Sequence, residues 1–155
     1  MSTPIVVGVD GSDASRAALR WAVEEARLRA SPLVAVHAWS FVPAQPMGDP
    51  GMLAVPAGDI AGQLDAEGAA ARRILSEAVA VALGDDPGLE IEQRLVEGDP
   101  GDALVDASES AGLVVVGSHG RSGLRAALLG SVSRHVATHA ACPVVVVKAP
   151  STDDD

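Results

Sequence analysis

A stretch rich in glycine and serine near the C-terminal end carries the residue pattern with the clearest chemistry. It spans Gly117–Ser133, with glycines at 117, 120, 123 and 130 and serines at 118, 122, 131 and 133. Glycines let backbone N–H groups come close to an anion, and the N-terminus of a following helix adds partial positive charge. Because the apolar run Leu113–Val116 leads into it, the stretch predicts a phosphate-binding loop between a buried strand and a helix.

Three familiar nucleotide loops do not fit this sequence. No G-x-x-x-x-G-K-[ST] occurs, which excludes a P-loop, and no G-x-G-x-x-G follows the first predicted strand, which disfavours a dinucleotide site. A flavodoxin-type FMN site would need aromatic stacking partners, and the chain contains only Trp21, Trp39 and Phe41. The glycine-rich stretch is therefore expected to bind phosphate in another way.

A few polar residues near this loop are candidates for catalysis or direct contact. Asp10 follows the first predicted strand, where a carboxylate either closes a turn or faces a ligand, and we expect the ligand role. Arg121 and Arg125 lie within the loop and are expected to be solvated rather than bound to phosphate. Asp10, His119 and Ser122 are the residues that a slow ATPase or phosphotransferase would use. The usual parts of such an enzyme are missing, so no catalytic residue is predicted.

The remaining histidines and the single cysteine suggest a metal site only superficially. His135 and His139 are four residues apart on a predicted helix, and Cys142 follows, but a four-ligand zinc set is incomplete. We predict packing or surface roles for both histidines, and no metal site. Cys142 is expected to be a small buried residue, and His37 a structural residue within its strand.

Hydrophobic patterning predicts five strands that alternate with four helices. The strands are Ile5–Val9, Leu33–Trp39, Leu89–Val96, Leu113–Val116 and Pro143–Val147. The helices are Ala14–Ala30 with Asp13 as N-cap, Ile60–Leu83, a short helix from Asp99-Pro100 to Ser110, and Ser131–Ala140. The long Pro- and Gly-containing segment Phe41–Asp59 is expected to be a loop that covers the ligand.

This alternation predicts one α/β domain with right-handed crossovers and a parallel sheet covered on both faces. We expect a doubly wound, five-stranded, flavodoxin- or Rossmann-like three-layer sandwich with strand order 3-2-1-4-5. Leu89–Val96 alternates apolar and polar residues and is expected at or near a sheet edge. Ligands of such sheets bind beyond the carboxyl ends of the strands, where the strand order reverses.

Composition narrows the classes of partner. The 155 residues include 11 Lys and Arg against 21 Asp and Glu, a net charge of −10, which disfavours nucleic-acid binding. No apolar run reaches the roughly 20 residues of a membrane span. One cysteine and no visible secretory signal favour the cytoplasm.

The chain resembles the universal stress protein family in its glycine pattern and in three further segments. The pattern Gly117-x₂-Gly120-x₉-Gly130-Ser131 matches that family's ATP-binding signature. The opening Ile5–Ser12, the strand end Val36–Ala38 and the closing Cys142–Val147 are also similar to it. The resemblance covers the chain except for Phe41–Asp59 and the acidic tail, so we predict a nucleotide-binding domain over residues 1–150 and a tail over 151–155.

The resemblance implies a nucleotide ligand, the residues that contact it and the oligomeric state of the protein. It implies ATP, with Mg²⁺ or Mn²⁺ as a companion of the phosphates, although AMP or cyclic AMP remains an alternative ligand. It also implies a homodimer through the last strand, Val144–Val147, which would otherwise be an exposed apolar edge. The implied nucleotide-binding residues are Val9, Asp10, Ala38, Val116, Gly117, Gly120, Gly130, Ser131, Val132 and Ser133.

Overall fold

The computed structural model describes residues 2–42, 57–86, 88–119 and 129–149. Nine elements alternate between strand and helix within this part of the chain. In order they are β1 (Ile5–Gly8), α1 (Asp13–Arg29), β2 (Leu33–Trp39), α2 (Ala57–Leu83), β3 (Ile91–Glu97), α3 (Pro100–Ser108), β4 (Leu113–Gly117), α4 (Ser131–His139) and β5 (Val144–Val147). Every predicted strand and helix is therefore present, with ends that differ by a few residues.

The five strands form one parallel sheet in the order β3-β2-β1-β4-β5, as predicted. Strand β1 pairs with β2 on one side and with β4 on the other, so the order reverses between β1 and β4. The central strands β1 and β4 are almost entirely buried, because helices cover both faces of the sheet. At the edge, β3 alternates apolar and polar residues and keeps one side in solvent, as its sequence predicts.

Two hydrophobic clusters hold the layers together, one on each face of the sheet. On the first face, α1 and α2 pack over Ile5, Val7 and Leu33 through residues such as Leu19 and Leu75. On the second face, α3 and α4 pack over the alternate strand residues, with Leu104 and Val136 at their centre. The split follows from strand geometry, since successive side chains point to opposite faces.

The first helix begins differently from the prediction. Ser12, not Asp13, is the N-cap of α1, and its hydroxyl accepts a hydrogen bond from the N–H of Ser15 at 3.2 Å. Both residue types are good caps, and the turn after β1 decides between them. Asp13 instead lies in the first helical turn, where its charge complements the helix dipole.

The segment predicted as a covering loop, Phe41–Asp59, is shorter than expected at its C-terminal end. Helix α2 begins at Ala57, so residues 57–59 are helical. Residues 43–56 lie outside the described part of the chain, as does the acidic tail at 151–155. Among the described residues, no helix is long and apolar enough to cross a membrane.

Candidate functional site

A pocket of about 280 Å³ opens at the carboxyl ends of the strands, on the α3 and α4 side of the sheet. It lies where the strand order reverses, which is the expected ligand position in an open α/β sheet. Its volume is close to the lower end of the range for pockets that hold small molecules. The described residues that line it are Gly8, Val9, Asp10, Ser15, Val36, Ala38, Pro100, Leu104, Val116, Gly117, His119, Gly130, Ser131, Val132 and Ser133.

Nine of the ten residues that the resemblance implied line this one pocket. They come from four separate parts of the chain: the end of β1, the end of β2, the end of β4 and the start of α4. The tenth, Gly120, lies outside the described residues, as do Arg121, Ser122 and Arg125. The fold therefore brings residues more than 100 positions apart in sequence to a single site.

One side of the pocket is apolar. Val36 and Ala38 project from β2 on the same face, because they are two residues apart on a strand. Val116 at the end of β4 and Leu104 of α3 complete this wall, and Val36, Val116 and Leu104 are almost fully buried. A flat, apolar ring would replace water here at little cost, since these side chains offer no polar groups to desolvate.

Another part of the lining is the N-terminus of α4. Gly130 is the N-cap, with an extended backbone (φ −64°, ψ 166°), and as a glycine it makes no side-chain capping hydrogen bond of its own. The first N–H groups of a helix have no partner within it, so those of Ser131, Val132 and Ser133 are suited to an anion. The described residues that line the pocket include no Lys or Arg, so an anion would rely on these backbone groups and the helix dipole.

Internal hydrogen bonds fix the start of α4. The N–H of Gly130 donates to the carbonyl of Ser118 at 2.7 Å. The Ser133 hydroxyl is buried and donates to the carbonyls of Ser118 and Gly130, at 3.2 and 3.0 Å. This hydroxyl is therefore used within the protein, and it is the backbone of Ser133 that remains for a ligand. Together these bonds anchor the helix start to the end of β4.

Asp10 has a structural role in addition to its place in the pocket. Its Oδ1 accepts a hydrogen bond from the N–H of Ser12 at 2.8 Å, which closes the turn between β1 and α1. Its own N–H donates to the hydroxyl of Ser15 at 3.3 Å. The turn thereby holds Asp10 at the pocket, so its turn-closing role is confirmed and its contact with a ligand stays a prediction.

Gly117 is required for packing as well as for the shape of the pocket. A Cβ at this position would lie 2.7 Å from the backbone carbon of Ala14 and 2.8 Å from the backbone nitrogen of Ser15. The first turn of α1 thus lies directly on Gly117. The sequence suggested only that this glycine gives an anion access, and the close approach of α1 is a second reason for it.

Several lining residues were missed by sequence reasoning. Val36 was predictable, because it shares a strand face with Ala38. Pro100 and Leu104 belong to α3, where a leucine and an N-terminal proline are ordinary helix residues with no functional signal. Only the packing of α3 against β1 and β2 shows that they face the pocket.

The histidines outside the pocket have structural partners, as predicted. His37 is buried, with Nδ1 2.7 Å from the carbonyl of Val9, so Nδ1 carries the proton and donates. His135 lies 3.0 Å from Asp102 through Nε2, and its ring is 4.5 Å from that of His139. Within the described ranges, no cluster of three or more His, Cys, Asp or Glu residues is arranged to hold a metal.

Cys142 is half-buried rather than fully buried, because it precedes the edge strand β5. Partial burial raises the pKa of its thiol, and a hydrogen bond with the backbone of Val114 lowers it to a smaller extent. A thiol of this kind is less ionised than a free one and is therefore a poorer nucleophile at neutral pH.

A family model described as the universal stress protein family matches residues 1–148, nearly the whole chain. This chain belongs to the universal stress protein family. A curated universal stress protein from Mycobacterium tuberculosis is 40% identical over 146 residues. That alignment covers 94% of this chain and 45% of the relative, so this family member spans about half the length of the curated relatives it matches.

Two solved universal stress proteins combine a similar fold with a bound adenine nucleotide. One, in complex with cAMP, is 32% identical with a TM-score of 0.67 and covers 96% of this chain and 98% of its own. The other, from Archaeoglobus fulgidus in complex with dAMP, is 33% identical with a TM-score of 0.64 and covers 94% and 98%. The strand order and helix layers of this chain are those of the family fold.

Proposed function

We propose that this universal stress protein is a cytoplasmic regulatory protein that binds ATP in the pocket between β1 and β4. The observation that carries the proposal is the pairing of an apolar wall with a helix N-terminus whose N-cap is a glycine, in one pocket. An adenine nucleotide has the same two-part character, with an apolar base at one end and an anionic phosphate group at the other. The protein would bind rather than transform it.

Each part of the nucleotide has a matching part of the pocket. The base would lie against Ala38 and Val116, next to Leu104, and the backbone of Ala38 would contact its polar edge. The phosphates would accept hydrogen bonds from the N–H groups of α4. Because this field is local, a protein with a net charge of −10 can still bind an anion. Asp10 would contact the ribose or a Mg²⁺ or Mn²⁺ ion on the phosphates.

Two lines of support favour this ligand class. The solved relatives in complex with cAMP and dAMP hold adenine nucleotides on a fold that this chain shares. The spacing Gly117-x₂-Gly120-x₉-Gly130-Ser131 resembles the ATP-binding signature of the family, which is the reason for proposing ATP, with AMP and cyclic AMP as the alternatives.

We propose further that the chain forms a homodimer through β5. This strand lies at the sheet edge, and its four valines are only half-buried. The carbonyls of Pro143 and Val147 accept bonds from β4, so the backbone groups of Val144 and Val146 face the other way. An apolar edge with open backbone groups favours pairing with another strand, and a second copy of β5 would supply one.

The experiment begins with protein purified under native conditions and then denatured, so that any released nucleotide can be identified by chromatography. Nucleotide-free protein is next titrated calorimetrically with Mg·ATP, AMP and cAMP. Adenosine and tripolyphosphate serve as controls that fill half of the pocket each. We expect ATP to bind most tightly and both half-ligands to bind much more weakly.

Other outcomes would contradict specific parts of the proposal. If AMP or cAMP bound more tightly than ATP, the proposed ligand would be a monophosphate instead of ATP. Steady release of ADP by homogeneous protein would make the chain an ATPase. If none of the three nucleotides bound, the assignment of this pocket as a nucleotide site would be wrong.

A further inference from the structure

Helices α3 and α4 form neighbouring parts of the pocket lining, and one side-chain pair joins them beside it. Pro100 and Leu104 of α3 line the pocket, and Asp102 lies between them in sequence. On α4, His135 lies two residues beyond the lining residue Ser133. His135 Nε2 is 3.0 Å from Asp102 Oδ1, so the pair connects the first turn of one helix to the second turn of the other.

A second contact fixes the same junction. Gly101 is buried under the imidazole of His135, and a Cβ at Gly101 would lie 2.8 Å from Cδ2 of that ring. The ring therefore lies against the backbone of α3 while its Nε2 reaches Asp102. The imidazole thus contacts both the backbone and a side chain of α3 at the pocket end.

We propose that Asp102 and His135 are positioning residues for the nucleotide pocket, which hold the N-terminal turns of α3 and α4 at the spacing that the ligand requires. The proposal rests on the proposed nucleotide binding. Neither side chain lines the pocket, so they act through Leu104 and Pro100 on one side and through Ser131–Ser133 on the other.

The charges around His135 determine how the pair responds to pH. Among the described residues, Asp102 bonds it from α3, Asp99 at the N-cap of α3 lies on the same side of Gly101 as the ring, and His139 stacks on it from α4. A charged imidazole bonds a carboxylate more strongly than a neutral one. Protonation of His135 is therefore expected to strengthen nucleotide binding.

The expected effect is modest, because the pair is partly in water. The side chain of His135 is 39% exposed and that of Asp102 is 71% exposed. Pairs of this kind typically change an equilibrium by up to about fivefold. We therefore expect the loss of the pair to weaken nucleotide binding about twofold to fivefold at pH 6.

The direction in which Asp102→Asn changes nucleotide affinity distinguishes a positioning role from a purely electrostatic effect. Removing a carboxylate near an anion site should strengthen anion binding if only Coulomb attraction acts. The positioning role predicts weaker binding instead. Asp106→Asn is the matched control, since Asp106 is exposed one turn further along α3 and its removal changes the charge equally. The full chain is titrated with Mg·ATP at pH 6 in all three forms.

A second comparison tests whether the charge on His135 contributes to nucleotide affinity. His135→Gln keeps a donor near the Nε2 position but cannot become charged, whereas Asp106→Asn leaves every histidine in place. The ratio of wild-type to variant affinity is measured from pH 8 to pH 5.5, which cancels the titration of the phosphates. We expect the ratio to rise with falling pH for His135→Gln and to stay flat for Asp106→Asn.

The outcomes distinguish this proposal from the proposed function. If the wild type does not bind nucleotide, the proposed function fails. If it binds and Asp102→Asn strengthens binding as much as Asp106→Asn does, the pair has no positioning role. A flat ratio for His135→Gln would contradict the pH response even if Asp102→Asn weakened binding.

Discussion

Substitution of Gly117 by alanine tests the close packing that shapes the pocket. The added Cβ would lie 2.7 Å from the Ala14 carbonyl carbon, 2.8 Å from the Ser15 nitrogen and 2.9 Å from the Ala14 Cβ. Two of these atoms belong to the backbone of α1, which cannot move away by a rotamer change. A normal carbon–carbon contact is about 3.5 Å or more, so α1 would have to retreat by several tenths of an ångström.

Overpacking of this kind costs about 1–3 kcal/mol, which for a chain of this size lowers Tm by roughly 2–12 °C. Urea unfolding followed by circular dichroism measures the loss in the free energy of unfolding. Gly62→Ala is the matched control, because Gly62 lies within α2 and a Cβ at this position would meet no described atom within 4 Å. That change should stabilise the protein by about 0.5–1 kcal/mol. Equal stability of Gly117→Ala and the wild type would refute the packing argument.

Three further predictions concern parts of the fold outside the glycine-rich stretch. His37→Phe should cost about 1–3 kcal/mol in urea unfolding, because the buried carbonyl of Val9 loses its donor; an unchanged midpoint would contradict this. Because burial raises the pKa of the Cys142 thiol, its reaction with a thiol reagent should reach half its maximal rate at a higher pH than that of a free cysteine, and a lower midpoint would contradict the direction. Val146→Pro should convert a dimer into a folded monomer in light scattering, since this backbone N–H faces away from β4; a persistent dimer would exclude the β5 edge.

Much of the fold was predictable because strands and helices follow simple periodicities. The β-branched runs Leu33–Trp39 and Leu113–Gly117 are flanked by turn residues, so their positions were clear from composition alone. The polar alternation in β3 correctly indicated an edge. Helix ends were less certain, as Ser12 and Asp13 show, because neighbouring residues of equal capping ability compete and the preceding turn decides.

The pocket was predictable only in part. Gly117, Ser131 and Asp10 have signals in the local sequence, and the fold brings all three to one pocket. The contribution of α3 has no such signal, because Leu104 is an ordinary core residue of an amphipathic helix and faces the pocket only through tertiary packing. The Asp102–His135 pair is also invisible in sequence, since the two residues are 33 positions apart.

The central claim, that backbone N–H groups at the start of α4 bind the phosphates, is tested most directly at Ser131. Proline is favoured at the first position of a helix, and the extended backbone of Gly130 suits a residue that precedes proline. Ser131→Pro therefore removes one N–H and one hydroxyl while preserving the helix, whereas Ser131→Ala removes only the hydroxyl.

Both variants are titrated calorimetrically with Mg·ATP after their thermal stability has been confirmed. A hydrogen bond to a charged group contributes about 1.5–3 kcal/mol, so Ser131→Pro should bind at least about tenfold more weakly than Ser131→Ala. Equal affinities of the two variants would contradict the claim that the backbone of α4 holds the nucleotide.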